Sequence, residues 1–337
     1  MKLGFINFGG PAGQIAIMHR ELVDNRRWVS EQLFLRALNF CMILPGPEAQ
    51  QLATYIGWRM HGILGGIVAG AFFVIPSIFV LLLLSYLAAA YGDVPMVAGL
   101  LYGVQPVVIA IVVDAVIRVG KRTLKHPVLV GFAVAAFLAL YVLRIPFPLV
   151  IGAAALAGTL LQRPWPQVFK AQGHGPGAGA HQDEHAADVG EELHPSAVRN
   201  AKILGIFLVL WLIPFAAVLL WRGWGDVLVQ EFLFFTQAAF ISFGGAYAVL
   251  VYITNQAVNT YGWLSGAEMV RGLGLAESTP GPLIMVTQYV GFFGAWNNPG
   301  PYPSLMNGTL GALLTTYATF LPCFMFIFLG APYIERL

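Results

Sequence analysis

The sequence predicts an all-α polytopic membrane protein built from two homologous repeats whose helices are discontinuous. Three observations support this fold class. Of the 337 residues, 58% are hydrophobic and only 10% are charged, whereas soluble domains average about 25% charged residues. Several apolar windows reach the length of about 20 residues that a membrane-spanning helix needs. Motifs of the first half of the chain also recur in its second half.

The predicted membrane helices follow one another along most of the chain. A window at 94–117 carries Asp114 near its end, and Asp93, the basic run 118–125 and Arg144 mark loops between windows. The other apolar windows are 62–91, 127–143, 145–162, 201–221, 228–253 and 305–332.

The domain organisation follows from a change in composition between residues 163 and 200. This segment is rich in glycine, proline, histidine and acidic residues, and such a composition buries too little apolar surface to fold. We expect a soluble disordered linker at 163–200, between a first membrane repeat at 1–162 and a second at 201–337. We expect the linker to act as a tether and not as a metal site.

Charge and cysteine content exclude several classes of protein. The net charge of +2 is too small and too dispersed to give the basic surface that nucleic-acid binding requires. Cys41 and Cys323 lie in apolar stretches, so we expect small core residues and no disulfide or thiolate metal site. Motifs of hydrolases, metalloproteases and phosphate-binding loops are missing from the sequence. We therefore expect no enzyme, no catalytic residues, no metal and no cofactor.

The two halves are related by an internal match without gaps. Residues 5–10 (FINFGG) recur as 240–245 (FISFGG), at a spacing of 235 residues. A duplicated membrane chain with hydrophobic segments interrupted at corresponding places is typical of secondary transporters, in which broken helices of the two repeats meet near the bilayer midplane. The same spacing pairs Trp28 with Trp263, Ser30 with Ser265, Arg36 with Arg271, and Pro45-Gly46-Pro47 with Pro280-Gly281-Pro282.

The relative orientation of the repeats depends on the segment 31–60. The positive-inside rule places the loop 118–126 and the linker in the cytoplasm. If the segment 31–60 crosses the membrane once as a broken helix, the second repeat is inverted. If it re-enters on the same side, the repeats are parallel. The sequence leaves both alternatives open.

The helix breaks are the predicted binding site. Pro removes a backbone donor and Gly lets the backbone approach a ligand, and unpaired backbone groups inside a membrane are costly. A helix that begins after Pro47 or Pro282 would point free N–H groups and its positive dipole end into the gap, which favours an anion. The alternative is that these residues only kink helices. The four breaks are Gly9-Gly10-Pro11, Pro45-Gly46-Pro47, Gly244-Gly245 and Pro280-Gly281-Pro282.

Side chains near the breaks complete the predicted site. Arg36 and Arg271 are the cations matched between the repeats, and a guanidinium suits a tetrahedral oxyanion, although each arginine could instead extend to the membrane interface. Neutral donors could bind the anion or only join helices. The predicted substrate-binding residues are Asn7, Gly9, Gly10, Arg36, Pro45, Gly46, Pro47, Gln50, Gln51, Ser242, Gly244, Gly245, Arg271, Ser278, Thr279, Pro280, Gly281, Pro282 and Gln288.

Two acids beside the breaks are candidates for proton coupling. Glu48 follows the first Pro-Gly-Pro and Glu277 precedes the second, and their repeat partners are the apolar Leu283 and Met42. A carboxylate within the membrane is costly unless it is paired or protonated, so either acid could carry a proton. The alternative for Glu48 is that it caps the N-terminus of a helix, where an acid is favoured.

Taken together, these motifs resemble the chromate ion transporter family. The resemblance covers nearly the whole chain and implies a two-repeat carrier of the bacterial inner membrane, usually described with oppositely oriented halves, that expels chromate and confers chromate resistance. The residues that carry it are Phe8-Gly9-Gly10-Pro11, Leu44-Pro45-Gly46-Pro47-Glu48-Ala49-Gln50-Gln51, Tyr55-Ile56-Gly57-Trp58, Tyr102-Gly103-Val104-Gln105-Pro106, Phe243-Gly244-Gly245, Ser278-Thr279-Pro280-Gly281-Pro282 and Gly330-Ala331-Pro332-Tyr333.

The sequence departs from the family pattern at its end. It stops after Glu335-Arg336, where family members continue through further membrane helices, so we expect a C-terminally shortened copy. A sulfate or related oxyanion transporter is the first alternative function, and an intramembrane enzyme with Glu48 and Glu277 as an acid/base pair is the second. The expected partners are a small anion and membrane lipid, and a homo-oligomer is compatible with the sequence.

Overall fold

The computed structural model describes residues 4, 10–143, 145–161, 196–243 and 246–334. These residues form helices joined by turns, without strands among them, so the predicted all-α class is confirmed. Residues 162–195, which include the first 33 residues of the predicted linker, lie outside the described residues, as do Asn7, Gly9, Gly244 and Gly245.

Twelve helices of ten residues or more make up the described part of the chain. They are α1 (Gly10–His19), α2 (Glu31–Cys41), α3 (Glu48–Tyr91), α4 (Pro95–Thr123), α5 (Pro127–Phe137), α6 (Phe147–Leu161), α7 (Ala197–Arg222), α8 (Val227–Ile241), α9 (Ala246–Asn255), α10 (Gly266–Ser278), α11 (Val286–Asn297) and α12 (Ser304–Ile334). Shorter pieces are the π-helical turns Arg20–Asn25, Leu138–Val142 and Gln256–Thr260 and the 3₁₀ turn Leu283–Met285.

Among the described residues, three helices are long and apolar enough to cross a membrane. They include residues Glu48–Tyr91, Ala197–Arg222 and Ser304–Tyr333. Shorter apolar helices cover Pro127–Val142, Phe147–Leu161 and Val227–Ile241. These lengths agree with a membrane protein, because about 20 helical residues span the hydrocarbon core.

Helix α3 is a hairpin of two arms, residues 48–60 and 63–91. Gly62 adopts a φ of +64° at the turn, where the backbone leaves the helical conformation. The arms touch through small residues, since a Cβ added to Gly57 would lie 2.5 Å from the carbonyl oxygen of Gly65. Such contacts between glycines let two helices approach closely.

The second half has a similar hairpin between α11 and α12. A Cβ on Gly291 would lie 2.7 Å from the carbonyl oxygen of Gly311. Helix α10 also lies beside α11, because a Cβ on Gly272 would contact the Tyr289 ring. In one continuous helix these two residues would be about 25 Å apart, so the chain reverses at Pro280-Gly281-Pro282.

Helices α2 and α10, which correspond at the spacing of 235 residues, have the same N-terminal cap. The hydroxyls of Ser30 and Ser265 each accept a hydrogen bond from a backbone N–H in the first turn of α2 and α10, which satisfies one of the free donors at a helix start. Before each serine lies a π-helical turn, at Arg20–Asn25 and Gln256–Thr260. The sequence match therefore extends to local backbone structure.

The chain divides into two compact units. Residues 1–108 and 184–337 form the first, and residues 109–183 form the second. In the second unit, α5 and α6 have no buried residues. In the first unit, Cys41 and Cys323 are 1% exposed and free, which confirms the expectation of small core residues. All described helix breaks lie in the first unit.

Candidate functional site

The first Pro-Gly-Pro break is closed by backbone of the second half. Gly46 adopts a φ of +120°, a conformation that a residue with a Cβ rarely adopts. Its N–H donates a 3.2 Å hydrogen bond to the carbonyl of Ser242, at the end of α8. Gln51 donates a 2.7 Å hydrogen bond from Nε2 to the Pro45 carbonyl. The break thus lies against Ser242, at the end of α8 in the other repeat.

The second Pro-Gly-Pro break is closed in the same way by the first half. Gly281 also has a φ of +120°. Its carbonyl accepts a 2.6 Å hydrogen bond from Nε2 of Gln14, on α1 directly after the first Gly-Gly-Pro. Each Pro-Gly-Pro break is therefore paired with a residue of the other repeat, Gly46 with Ser242 and Gly281 with Gln14.

Each Pro-Gly-Pro glycine is also pressed against a long helix of the other half. A Cβ on Gly46 would lie 2.8 Å from Sγ of Cys323 on α12, and a Cβ on Gly281 would lie 2.5 Å from Cβ and Oγ of Ser77 on α3. These distances are too short for a real Cβ, so both positions require glycine for space as well as for φ. Both Pro-Gly-Pro breaks therefore lie at contacts between the two halves.

Two small cavities lie at these pairings, and neither is large enough for an anion of five heavy atoms. The first has a volume of about 10 Å³, which is room for about one water molecule. The second has no space for a water molecule. The first is lined by Gly46, Pro47, Phe235, Ala238, Ala239, Ser242, Val249, Ile253, Ile284, Thr287 and Thr319. The second is lined by Gly10, Ala276, Glu277, Thr279, Gly281 and Leu283.

The predicted hydroxyl donors are engaged in this closed form. The Ser242 hydroxyl donates to the Ala239 carbonyl at 2.9 Å, and the Thr279 hydroxyl donates to the Leu275 carbonyl at 2.7 Å. The Ser278 hydroxyl likewise donates within α10. These groups would have to rotate before they could donate to an anion.

The three predicted glutamines are completely buried, and their amide nitrogens also have partners. Gln50 donates to the Thr54 hydroxyl at 3.0 Å, and Gln288 donates to the Ile78 carbonyl at 2.8 Å. The Oε1 atoms of Gln50 and Gln51 have no hydrogen-bond partner among the described residues. A rotation of either carboxamide would direct an N–H group to a new acceptor.

The two matched arginines are not among the residues that line either cavity. Arg36 is exposed on α2, and Arg271 is half-buried on α10. The Nε of Arg271 is enclosed and has no partner among the described residues. The structure therefore brings together the breaks but leaves both guanidinium groups outside the cavities.

The two predicted acids lie beside the two breaks. Glu277 lines the second cavity. Glu48 is half-buried and is the first residue of α3, directly after Pro47 of the first cavity. A carboxylate at a helix N-terminus interacts favourably with the helix dipole, so this position is compatible with both the coupling and the capping interpretation.

Sequence reasoning missed several polar residues of this region. Glu231 is the acid in the apolar window 228–253, and that isolation was the available signal. Gln14 and Ser77 had no counterpart in a recognised motif. Thr287 and Thr319 line the first cavity, but threonine is common where membrane helices pack.

Comparisons with known proteins agree on one family. The family model described as "Chromate transporter" matches residues 1–159 and 229–337. The "Probable chromate transport protein" of Synechococcus elongatus is 29% identical, covering 100% of this chain and 75% of the relative. The "Chromate transport protein" of Pseudomonas aeruginosa is 31% identical over 97% of this chain and 70% of the relative. That of Cupriavidus metallidurans is 26% identical over 100% and 73%. No solved structure matches the chain.

Proposed function

Because the chain belongs to the chromate transporter family, we propose that it is a secondary active transporter that exports chromate across the bacterial inner membrane and so confers chromate resistance. The observation that carries the mechanism is the reciprocal pairing of the helix breaks, Gly46 with Ser242 and Gly281 with Gln14. A movement of one half against the other would open both pairings together.

The anion would occupy the first cavity when this pairing separates. The N–H of Gly46 donates to the carbonyl of Ser242. When these two residues separate, this N–H becomes free at a buried position. The positive dipole end of α3, which begins directly after Pro47, would add a favourable field for a doubly charged anion. Ser242, Thr287 and Gln51 supply further donors by side-chain rotation.

Alternating access would then follow from the closed form described. Its cavities are too small for an anion of five heavy atoms, as expected of a state between outward and inward opening. The second pairing, with Gly281, Thr279 and Glu277, would form an equivalent site in the other half. Arg36 and Arg271 would act during anion access or release, since neither lines a cavity.

A transporter is favoured over an enzyme because the relatives of this chain are named as chromate transport proteins. Backbone donors recognise a tetrahedral dianion by shape and charge, so sulfate fits the same site as chromate. The experiment therefore has to distinguish chromate transport from sulfate transport.

Flux measurements in proteoliposomes test the proposed function. We expect the purified chain to move labelled chromate and to do so faster when a proton gradient is imposed, with sulfate as a weaker competitor. Vesicles without protein are the control. If sulfate moves as fast as chromate or faster, the protein is a sulfate transporter. If folded protein moves neither anion, the proposed transport function is wrong.

A substitution at the first break tests proton coupling. We expect Glu48→Gln to remove the pH dependence of chromate flux while chromate binding stays measurable, because the amide keeps the shape of the side chain but cannot ionise. Glu277→Gln is the matched variant at the second break. Unchanged pH dependence in both variants would assign Glu48 to helix capping.

A further inference from the structure

Glu231 is a completely enclosed acid in the core of the first unit. Its side chain has 0% exposure, and neither carboxyl oxygen has a hydrogen-bond partner among the described residues. Two glycines make room for it. A Cβ on Gly311 of α12 would lie 2.9 Å from Oε2, and a Cβ on Gly294 of α11 would contact Oε1. The carboxyl group of Glu231 thus fills the space that the missing side chains of these two glycines leave.

The helices around Glu231 bring no free cation to it. Asp226, the N-cap of the same helix, is its acidic neighbour. Arg222 at the end of α7 is held by a 3.0 Å ion pair with Asp226 and a hydrogen bond to Asn307. Helices α9, α11 and α12 contain no Asp, Glu, Lys, Arg or His, and the other charged residues of α7 are Arg199 and Lys202. Among the side chains of these helices that the structure describes, the titratable ones are Tyr252, Tyr289, Tyr317, Tyr333 and Cys323.

An enclosed carboxyl without a cation or a hydrogen-bond donor is disfavoured as an ion, because its charge has lost the solvation of water. The neutral acid avoids this penalty. A metal or sodium ion would need several oxygen ligands around it, and the oxygens of Glu231 face two glycines. The surroundings of this side chain therefore fit a bound proton and no larger cation.

Glu231 and the first cavity lie at the same packing interface, formed by α8, α11 and α12. We call this interface the seam. On α8, Phe235 lines the cavity about one helical turn from Glu231, about 6 Å along the axis. On α11, Gly294 faces the acid and Thr287 lines the cavity. On α12, Thr319 lines the cavity about 12 Å along the axis from Gly311.

Threonine hydroxyl groups line the part of this seam that lies next to the cavity. The Thr319 hydroxyl lies 3.4 Å from the Thr287 hydroxyl and donates a 2.7 Å hydrogen bond to the Thr315 carbonyl. Thr315 is completely buried and lies between Gly311 and Thr319 on the same face of α12. A change in the packing of α8 against α11 and α12 would therefore act on Glu231 and on the cavity together.

From this placement we propose that Glu231 is a proton-binding site coupled to the anion cavity lined by Gly46 and Ser242. With the seam closed, Glu231 holds its proton as a neutral acid. When the seam opens to water, the O–H bond breaks, the proton leaves to water and the carboxylate is hydrated. A proton from the water on the other side rebinds before the seam closes. The coupling rests on the proposed function, whereas the proton binding does not.

Infrared spectroscopy tests the proton binding without any substrate. Near neutral pH, we expect purified wild-type protein to have the C=O stretching band of a protonated carboxyl group. The band should disappear in Glu231→Gln and remain in Asp93→Asn, which removes an exposed loop carboxylate. A spectrum that is the same in wild type and Glu231→Gln would overturn the proposal.

Proton movement in proteoliposomes tests the coupling. We expect Glu231→Gln and Glu231→Leu to lose chromate-dependent proton movement by about tenfold or more, because neither side chain can ionise. Leucine is included since an apolar residue suits an enclosed pocket. Wild-type proton movement in either variant would overturn the coupling. If wild-type protein moves neither chromate nor sulfate, the proposed function fails, and the infrared measurement still decides whether Glu231 binds a proton.

Discussion

Replacing Gly281 by alanine is expected to abolish chromate flux and to lower the free energy of unfolding by about 2–6 kcal/mol. Its φ of +120° is a strained conformation for alanine, at about 1–3 kcal/mol. The new Cβ would also lie 2.5 Å from Cβ and Oγ of Ser77, and such overpacking costs about 1–3 kcal/mol. Thermal unfolding in detergent and initial flux rates measure the two effects.

Two other glycines separate the causes of this loss. Gly62 has a positive φ of +64° but open space around it, so Gly62→Ala should have only the conformational penalty. Gly205 lies in α7 with open space and helical φ, and Gly205→Ala should be neutral or slightly stabilising. Adding Ser77→Gly to Gly281→Ala should restore part of the stability. Equal stability of Gly281→Ala and Gly205→Ala, with normal flux, would contradict this account of the break.

The positions of the helix breaks could be predicted from sequence because their causes are local. Proline ends the hydrogen-bonding pattern of a helix, and glycine permits a positive φ. The structure has both features at Pro45-Gly46-Pro47 and Pro280-Gly281-Pro282. The partners of the breaks could not be predicted, because the pairs Gly46 with Ser242 and Gly281 with Gln14 join residues distant in the chain.

The sequence also could not predict whether the chain continues or reverses at a break, because this depends on contacts between residues distant in the chain. Composition and hydropathy describe residues 266–297 equally well as a broken crossing helix or as two helices side by side. The contact of Gly272 with the ring of Tyr289 decides between them for α10 and α11. Because both residues are compatible with any buried helix surface, the sequence carried no signal for this contact.

The predicted cations of the site were chosen by their match between the repeats, and this criterion has a limit. Arg36 and Arg271 are matched, yet neither lines a cavity. Glu231 was not part of the recognised motifs, yet it is completely enclosed by three helices that also form the first cavity. A single acid inside an apolar window is costly in a membrane protein, so it indicates a special role more strongly than a match between two cations that lie outside the cavities.

Replacing Arg222 by methionine is expected to destabilise the protein by about 3–5 kcal/mol, because it leaves one partner of a largely buried ion pair uncompensated. The Arg222 side chain is 1% exposed, and its Nε lies 3.0 Å from Oδ2 of Asp226. Its guanidinium also donates to Asn307 and lies 3.9 Å from the centre of the Tyr302 ring. One side chain thus links the end of α7 with the start of α8 and with α12, and methionine would keep only the apolar packing.

Arg26 provides a matched control for this prediction. It also forms one ion pair, 2.8 Å from Nε to Oε1 of Glu21, and lies 4.7 Å from the centre of the Trp28 ring. Its side chain is 44% exposed, so water and salt screen the pair, and Arg26→Met should cost about 0–1 kcal/mol. Urea or thermal unfolding of both variants in the same detergent measures the difference. Similar stabilities for the two variants would mean that burial of Arg222 contributes nothing, and that the packing of α7, α8 and α12 rests on apolar contacts alone.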